Sequence, residues 1–183
     1  AVEPNPSIRL AQRLVDHNNL GDRVACIEGV STDLELEEPA DVIVSDLRGV
    51  LPLFNQHLPS IIDARKRLLA SGGKLIPCRD VLMAAPVSHA EEHRRITHPW
   101  HENRFGLNLT AGADSESNRW TKVNLTAEHL LAEAKQWFSL DYESLAECGA
   151  HGSLEWQIER SGALHGIAAW FDAELVSGVG FSN

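Results

Sequence analysis

The spacing of apolar and polar positions changes character near the middle of the chain. In the first half, Ile8, Ala11, Leu14 and Val15 recur on one face at helical spacing, which predicts a helix over about residues 5–18. Asn5 is placed to cap it, Pro6 suits its first turn, and Asn18, Asn19 and Gly21 stop it. RVACIEG (23–29) reads as a short apolar strand and ADVIVSD (40–46) as a buried strand ending in polar residues. PSIIDARKRLLASGG (59–73) reads as a helix with a double-glycine stop, and KLIP (74–77) as a further strand. The opening AVE, an apolar pair running into Glu3, reads as the last step of a buried strand. Strand, helix, strand, strand, helix, strand, with near-continuous apolar strands, predicts an open α/β sheet. Ligands of such sheets bind beyond the carboxyl ends of the strands, where Glu3, Gly29 and Asp46 fall.

From Pro77 onward, strand patterns dominate. VLMAAPV (81–87) and WFSLDY (137–142) read as strands, and LEWQIE (154–159) faces LHGIAAWFDAEL (164–175) across a Ser161-Gly162 turn. Only TAEHLLAEAK (126–135), with Thr126 as its cap, reads as helical. The boundary is expected between Lys74 and Arg79, dividing the chain into an α/β domain, 1–77, and a β-rich, barrel-like domain, 78–183, whose final strand is cut off at Asn183. Trp156, Trp170 and Phe171 are read as core of that second domain.

Composition narrows the classes. A chain of 183 residues with 43% hydrophobic and 23% charged residues is ordinary globular material. No apolar run approaches the roughly 20 residues of a membrane span, and no basic-then-apolar leader opens the chain, so a cytoplasmic protein without membrane contact is expected. The net charge of −10 argues against a nucleic-acid partner, which needs clustered Lys and Arg. Cys26, Cys78 and Cys148 form no CxxC pair and are expected to be reduced and mostly buried. HAEEH (89–93) and HPWH (98–101) bring histidines to metal-ligand spacings, but their order is not HExxH and Pro99 interrupts a common helix. They are read as a solvated polar linker, and no metal site is expected. Ser31 with Asp33, and Ser45 with Asp46, lack the elbow and the His of a hydrolase.

Four stretches, AVEPNP, CIEGVSTDLEL, DVIVSDLRGVLPLFNQHLPSIIDARKRLLASGGKLIP and HGIAAWFDAELVSGVGFSN, resemble in order and spacing the protein arginine methyltransferase family. These are class I S-adenosylmethionine enzymes with a Rossmann-like domain followed by a β-barrel. The resemblance implies a chain truncated at both ends, lacking the family's first strand and glycine-rich loop, with residues 88–125 in the place of its dimerisation arm. It implies S-adenosylmethionine as cofactor, with Glu3 on the ribose hydroxyls and Gly29, Val30, Ser31 and Thr32 reading the adenine. From the residues alone, Glu3 is equally a surface acid at a strand end, and 29–32 a plain turn. Without the first strand, the sheet is expected to leave two pairs of strands with a gap, and a homo-oligomer is expected because open edges seek partners.

The same resemblance places Asp46 and Asn55 where the family carries two catalytic glutamates that clamp the substrate guanidinium. Asp46 is a methylene shorter than glutamate, Asn55 carries no charge, and Arg48 adds a competing cation. The acceptor, protein or small molecule, is therefore left open. Two functions stand: a methyltransferase, or a non-catalytic binding or assembly module derived from that fold.

Overall fold

A computed structural model describes residues 1–102 and 104–183; position 103, inside the stretch expected to form the arm, lies outside them. The elements run β1 (Val2–Glu3), α1 (Ile8–His17), β2 (Ile27–Glu28), β3 (Ala40–Val44), α2 (His57–Arg67), β4 (Leu69–Ile76), β5 (Arg79–Val87), α3 (Ala90–His101), α4 (Ala113–Ser117), β6 (Lys135–Asp141), β7 (Gly166–Val176) and β8 (Val179–Ser182). Two compact units result. The first takes residues 1–80, 139–150 and 171–183, and the second takes 81–138 and 151–170.

In the first unit the predicted alternation is present. β1 pairs parallel with β2, and β3 pairs parallel with β4, as two separate two-stranded sheets. α1 buries Ile8 and Val15, while Leu14, expected on the same face, stays exposed. The N-cap is Ser7, not the expected Asn5, and it makes no side-chain cap; Asn5 instead closes the turn ahead of the helix, its Oδ1 accepting the Ser7 N–H at 2.9 Å. Asn18 ends the helix by donating from Nδ2 to the Leu14 carbonyl, followed by Asn19 at φ 54°. α2 buries Leu58, Ile61, Ile62 and Ala64, and its last turn carries Arg65, Lys66 and Arg67, the signs its dipole favours. It does not run to the glycine pair: β4 begins two residues after Arg67 and contains Gly72 and Gly73. Gly72, at φ 78°, lets β4 bulge where the register jumps from Ala40↔Leu69 to Val42↔Lys74.

The strands of the second half form one four-stranded sheet in the order β6-β5-β7-β8, and β7 and β8 are an antiparallel hairpin. Among the described residues this sheet is not closed into a barrel. Three expectations are corrected in the second unit. LEWQIE forms no strand, because the N–H groups of Glu159 and Arg160 go to the Leu131 carbonyl instead of a ladder. Only Ala127–His129 of TAEHLLAEAK is helical, as a 3₁₀ turn, since Leu130 and Leu131 pair with the end of β5. The histidine-rich linker is a helix, α3, that runs through Pro99. A proline in the last turn forfeits one bond, and the Glu102 N–H still reaches the His98 carbonyl. Gly112 is required here: a Cβ would come within 2.3 Å of the Trp100 ring. Phe171 is core, whereas Trp156 and Trp170 are only half-buried. Cys26 and Cys78 are half-buried and Cys148 is exposed, all free thiols.

Candidate cofactor and acceptor site

Parallel pairing of β1 with β2 places Glu3 opposite Glu28, and the Gly29 N–H donates to the Glu3 carbonyl at 3.2 Å. The acid and the turn that the sequence singles out are thus neighbours at the carboxyl end of one strand pair. Glu3 is fixed locally, its Oε1 accepting the Asn5 N–H at 2.8 Å. Ile27 to Val30 and Asp33 to Glu35 line an open cleft of about 270 Å³; Ser31 and Thr32 are not part of its lining. A Cβ at Gly29 would meet nothing within 4 Å, so a flat ring can approach that backbone.

Ser31 and Thr32 belong to the 3₁₀ turn Ser31–Asp33, and Arg67, which sequence reasoning did not select, braces it. Its guanidinium donates to the carbonyls of Ser31 and Thr32 at 3.0 Å and of Leu34 at 2.8 Å, while Asp63 holds it from behind at 2.7 Å. The Asp63 carboxyl is held below its usual range by its hydrogen bond to Arg67. Opposite the turn, Arg9 makes a paired contact to Glu28 at 2.9 and 3.0 Å.

Asp46 follows β3 with its side chain 85% exposed, and the cation it holds is internal. Nε and Nη2 of Arg48 donate to the same oxygen, Oδ1, at 3.3 and 3.2 Å. Arg48 is itself buried: Nη1 pairs with buried Asp80 at 3.1 Å, and the guanidinium carbon lies 5.2 Å from the ring centres of both Phe171 and Phe181. The second oxygen of Asp80 accepts the Tyr142 hydroxyl proton at 2.6 Å. His57 Nε2 lies 2.9 Å from that hydroxyl, whose proton is committed, so His57 must donate from Nε2. Its Nδ1 is then a lone pair, buried without a partner among the described residues. Burial, then the Arg48 charge, lowers the His57 pKa to about 4. Burial raises that of Asp80 against the opposing effects of Tyr142 and Arg48. Of this network the sequence flagged only Asp46 and Arg48.

Asn55 is exposed and sits at φ 57°, in the left-handed region where asparagine is far better tolerated than a longer side chain. The structure thus gives Asp46 an arginine partner from its own chain and puts at Asn55 a residue suited to its backbone. Among the described residues no three of His, Cys, Asp and Glu are grouped to hold a metal ion, and no helix is long and apolar enough to cross a membrane.

No family model matches the chain. Among curated proteins, it is 30% identical over 183 residues to a probable histone-arginine methyltransferase CARM1 of Oryza sativa subsp. indica, covering 94% of this chain and 35% of that protein. It is 29% identical to protein arginine N-methyltransferase 6 of Xenopus tropicalis, covering 93% and 53%. The chain therefore spans at most about half the length of these two relatives. Among solved structures, the Trypanosoma brucei PRMT1 enzyme-prozyme heterotetrameric complex with AdoHcy superposes with a TM-score of 0.85 at 18% identity, over 99% of this chain and 59% of that one. Arabidopsis thaliana protein arginine methyltransferase 10 gives 0.74 at 23% identity, over 94% and 56%. In sequence over 94% of its length and in fold over 99% of it, the chain resembles a segment of the protein arginine methyltransferases.

Proposed function

We propose that the chain is part of an S-adenosylmethionine-dependent methyltransferase, with residues 1–77 as a partial cofactor domain and 78–183 as a barrel-like domain carrying a dimerisation arm near 88–125. The observation that carries this reading is the β1–β2 pairing, which sets Glu3 beside the Gly29 turn at the end of a parallel strand pair. The similarity to arginine methyltransferases supports it.

The residues present fit an adenosine. A carboxylate accepts both ribose hydroxyl protons, and Glu3 is held for that task by Asn5. Gly29 and Val30 offer backbone to an adenine edge, and Ser31 and Thr32 keep their turn through Arg67. When bound, the cofactor supplies an electrophilic methyl group on a sulfonium. The chain's own contribution is alignment, worth most when the acceptor is held in line. Asp46 and Asn55 are the acceptor-side candidates; one charge instead of two supports an acceptor gripped less strongly than a guanidinium between two acids. Three free thiols support a reducing, cytoplasmic setting. The short strand pairs, with Val44 73% exposed on β3, support a homo-oligomer.

Saturation-transfer NMR with S-adenosylhomocysteine tests the site even at weak affinity. Adenine and ribose protons are expected to saturate with wild type and to lose most of that transfer with Glu3→Ala. Equal transfer in both proteins would remove Glu3 from the site.

A further inference from the structure

Four imidazoles from three separated stretches of the sequence meet at the start of α3. His89 precedes the helix and His93 lies in it, His129 closes the 3₁₀ turn Ala127–His129, and His165 immediately precedes β7. The rings of His89 and His129 stack with centres 4.2 Å apart and planes 17° from parallel. Those of His93 and His165 lie 4.7 Å apart at 35°.

Three of the four use Nδ1 to hold backbone. His165 Nδ1 accepts the His89 N–H at 2.9 Å and lies 3.5 Å from the Ser88 hydroxyl, His89 Nδ1 accepts the Glu92 N–H at 3.3 Å as the cap of α3, and His129 Nδ1 accepts the Thr126 N–H at 3.1 Å and lies 3.0 Å from the Thr126 hydroxyl. A ring nitrogen that accepts a hydrogen bond carries no proton, so these rings are neutral with their proton on Nε2. Protonation turns Nδ1 into a donor and, at His89 and His165, sets two N–H groups against each other; at His129 the Thr126 hydroxyl oxygen, whose own proton goes to Glu128, can take the new N–H. It also places a charge against a stacked neighbour.

The charged groups around the cluster are mostly engaged elsewhere. On α3, Glu92 faces His89 but is paired with Arg95, and Glu91 is exposed. On the 3₁₀ turn, the Glu128 carboxylate accepts the Thr126 hydroxyl at 3.1 Å. Arg160 lies against the same turn, donating to the carbonyls of Ala127, Glu128 and Leu130. Burial, then the charges of His93 and His89, keeps the His165 pKa below its ordinary value.

We propose that these histidines are a pH-operated latch on α3: neutral rings pin its first turn, and protonation releases it. The released state binds more protons than the latched one. The opening equilibrium therefore rises as pH falls, by up to roughly tenfold per pH unit for each histidine. The latch lies within the second unit and does not depend on the methyl-transfer reading.

Hydrogen exchange of the chain, read by mass spectrometry near pH 7.5 and near pH 5.5 and corrected for intrinsic rates, tests it. Wild type is expected to lose protection in the first turn of α3 at the lower pH. The triple variant H89N/H129N/H165N, whose amide oxygens accept the same N–H groups but do not titrate, is expected to keep it. Equal wild-type protection at both values, or parallel loss in the variant, would overturn the proposal. Should the variant not fold, imidazole nitrogen shifts of wild type decide. An unprotonated Nδ1 at His89, His129 and His165 at neutral pH is expected, and a protonated Nδ1 at any of them would overturn it.

Discussion

Replacing Arg48 by methionine separates the two halves of the charge network by size. Toward Asp46 the guanidinium makes an ion pair whose acid is 85% exposed, worth about 0–1 kcal/mol. Toward Asp80 it makes a pair in which both partners are buried. Removing one member of such a pair costs about 3–5 kcal/mol, because a charge is left in the interior without compensation. Arg48→Met should therefore lower the unfolding free energy by about 3–5 kcal/mol, and Asp46→Asn by less than about 1 kcal/mol. Adding Asp80→Asn to Arg48→Met removes the stranded charge and leaves an amide oxygen for the Tyr142 hydroxyl, so the double variant should lose clearly less than the sum of the singles. Urea unfolding followed by tryptophan fluorescence, extrapolated linearly to zero denaturant, gives these values. A cost for Arg48→Met near that of Asp46→Asn, or simple additivity in the double variant, would refute the reasoning.

Four further outcomes are expected. His57 is neutral in the fold down to about pH 4 but charges near 6.5 when unfolded; a lowered folded pKa means that stability is lost as pH falls, by roughly 3 kcal/mol between those values. His57→Gln should flatten that part of the pH–stability curve measured by urea unfolding, and an unchanged slope would count against the buried neutral histidine. Asn55→Glu should destabilise by about 1 kcal/mol at its φ of 57°, whereas Asn55→Asp should be nearly neutral. If a second charge is what an arginine acceptor lacks, Asn55→Asp should raise methyl transfer to an arginine-rich peptide by about tenfold or more, and no gain would argue against Asn55 as an acceptor contact. Light scattering should find the chain oligomeric because β1–β2 and β3–β4 are two-stranded sheets with open edges; a monodisperse monomer would contradict this.

The first half of the fold was legible mainly through its helices, where Ile8 with Val15, and Ile61 with Ile62, face inward; its strands were found as apolar runs but are not the buried strands expected, since Ile27, Val42 and Val44 are exposed. The second half was less so. LEWQIE alternates like a strand, yet its end is held by the Leu131 carbonyl, which takes the Glu159 N–H, a tertiary fact that no local pattern carries. α3 was missed because Pro99 reads as a break, although in a last turn it forfeits only one bond. Glu3 and the Gly29 turn were found through a strand-end rule and a resemblance. Arg67, Asp80, Tyr142 and His57 act through partners up to 85 residues away, for which sequence spacing gives no signal.

The central claim, that Glu3 and the turn from Gly29 to Thr32 hold an adenosine, is tested most directly by photolabelling the chain with radiolabelled S-adenosylmethionine and mapping the product after trypsin. Cleavage after Arg23 and Arg48 releases residues 24–48, which contain the whole turn and every residue that lines the cleft. The account predicts that this peptide carries the label and that excess S-adenosylhomocysteine removes it. Label confined to other peptides, or label that the competitor leaves in place, would contradict it.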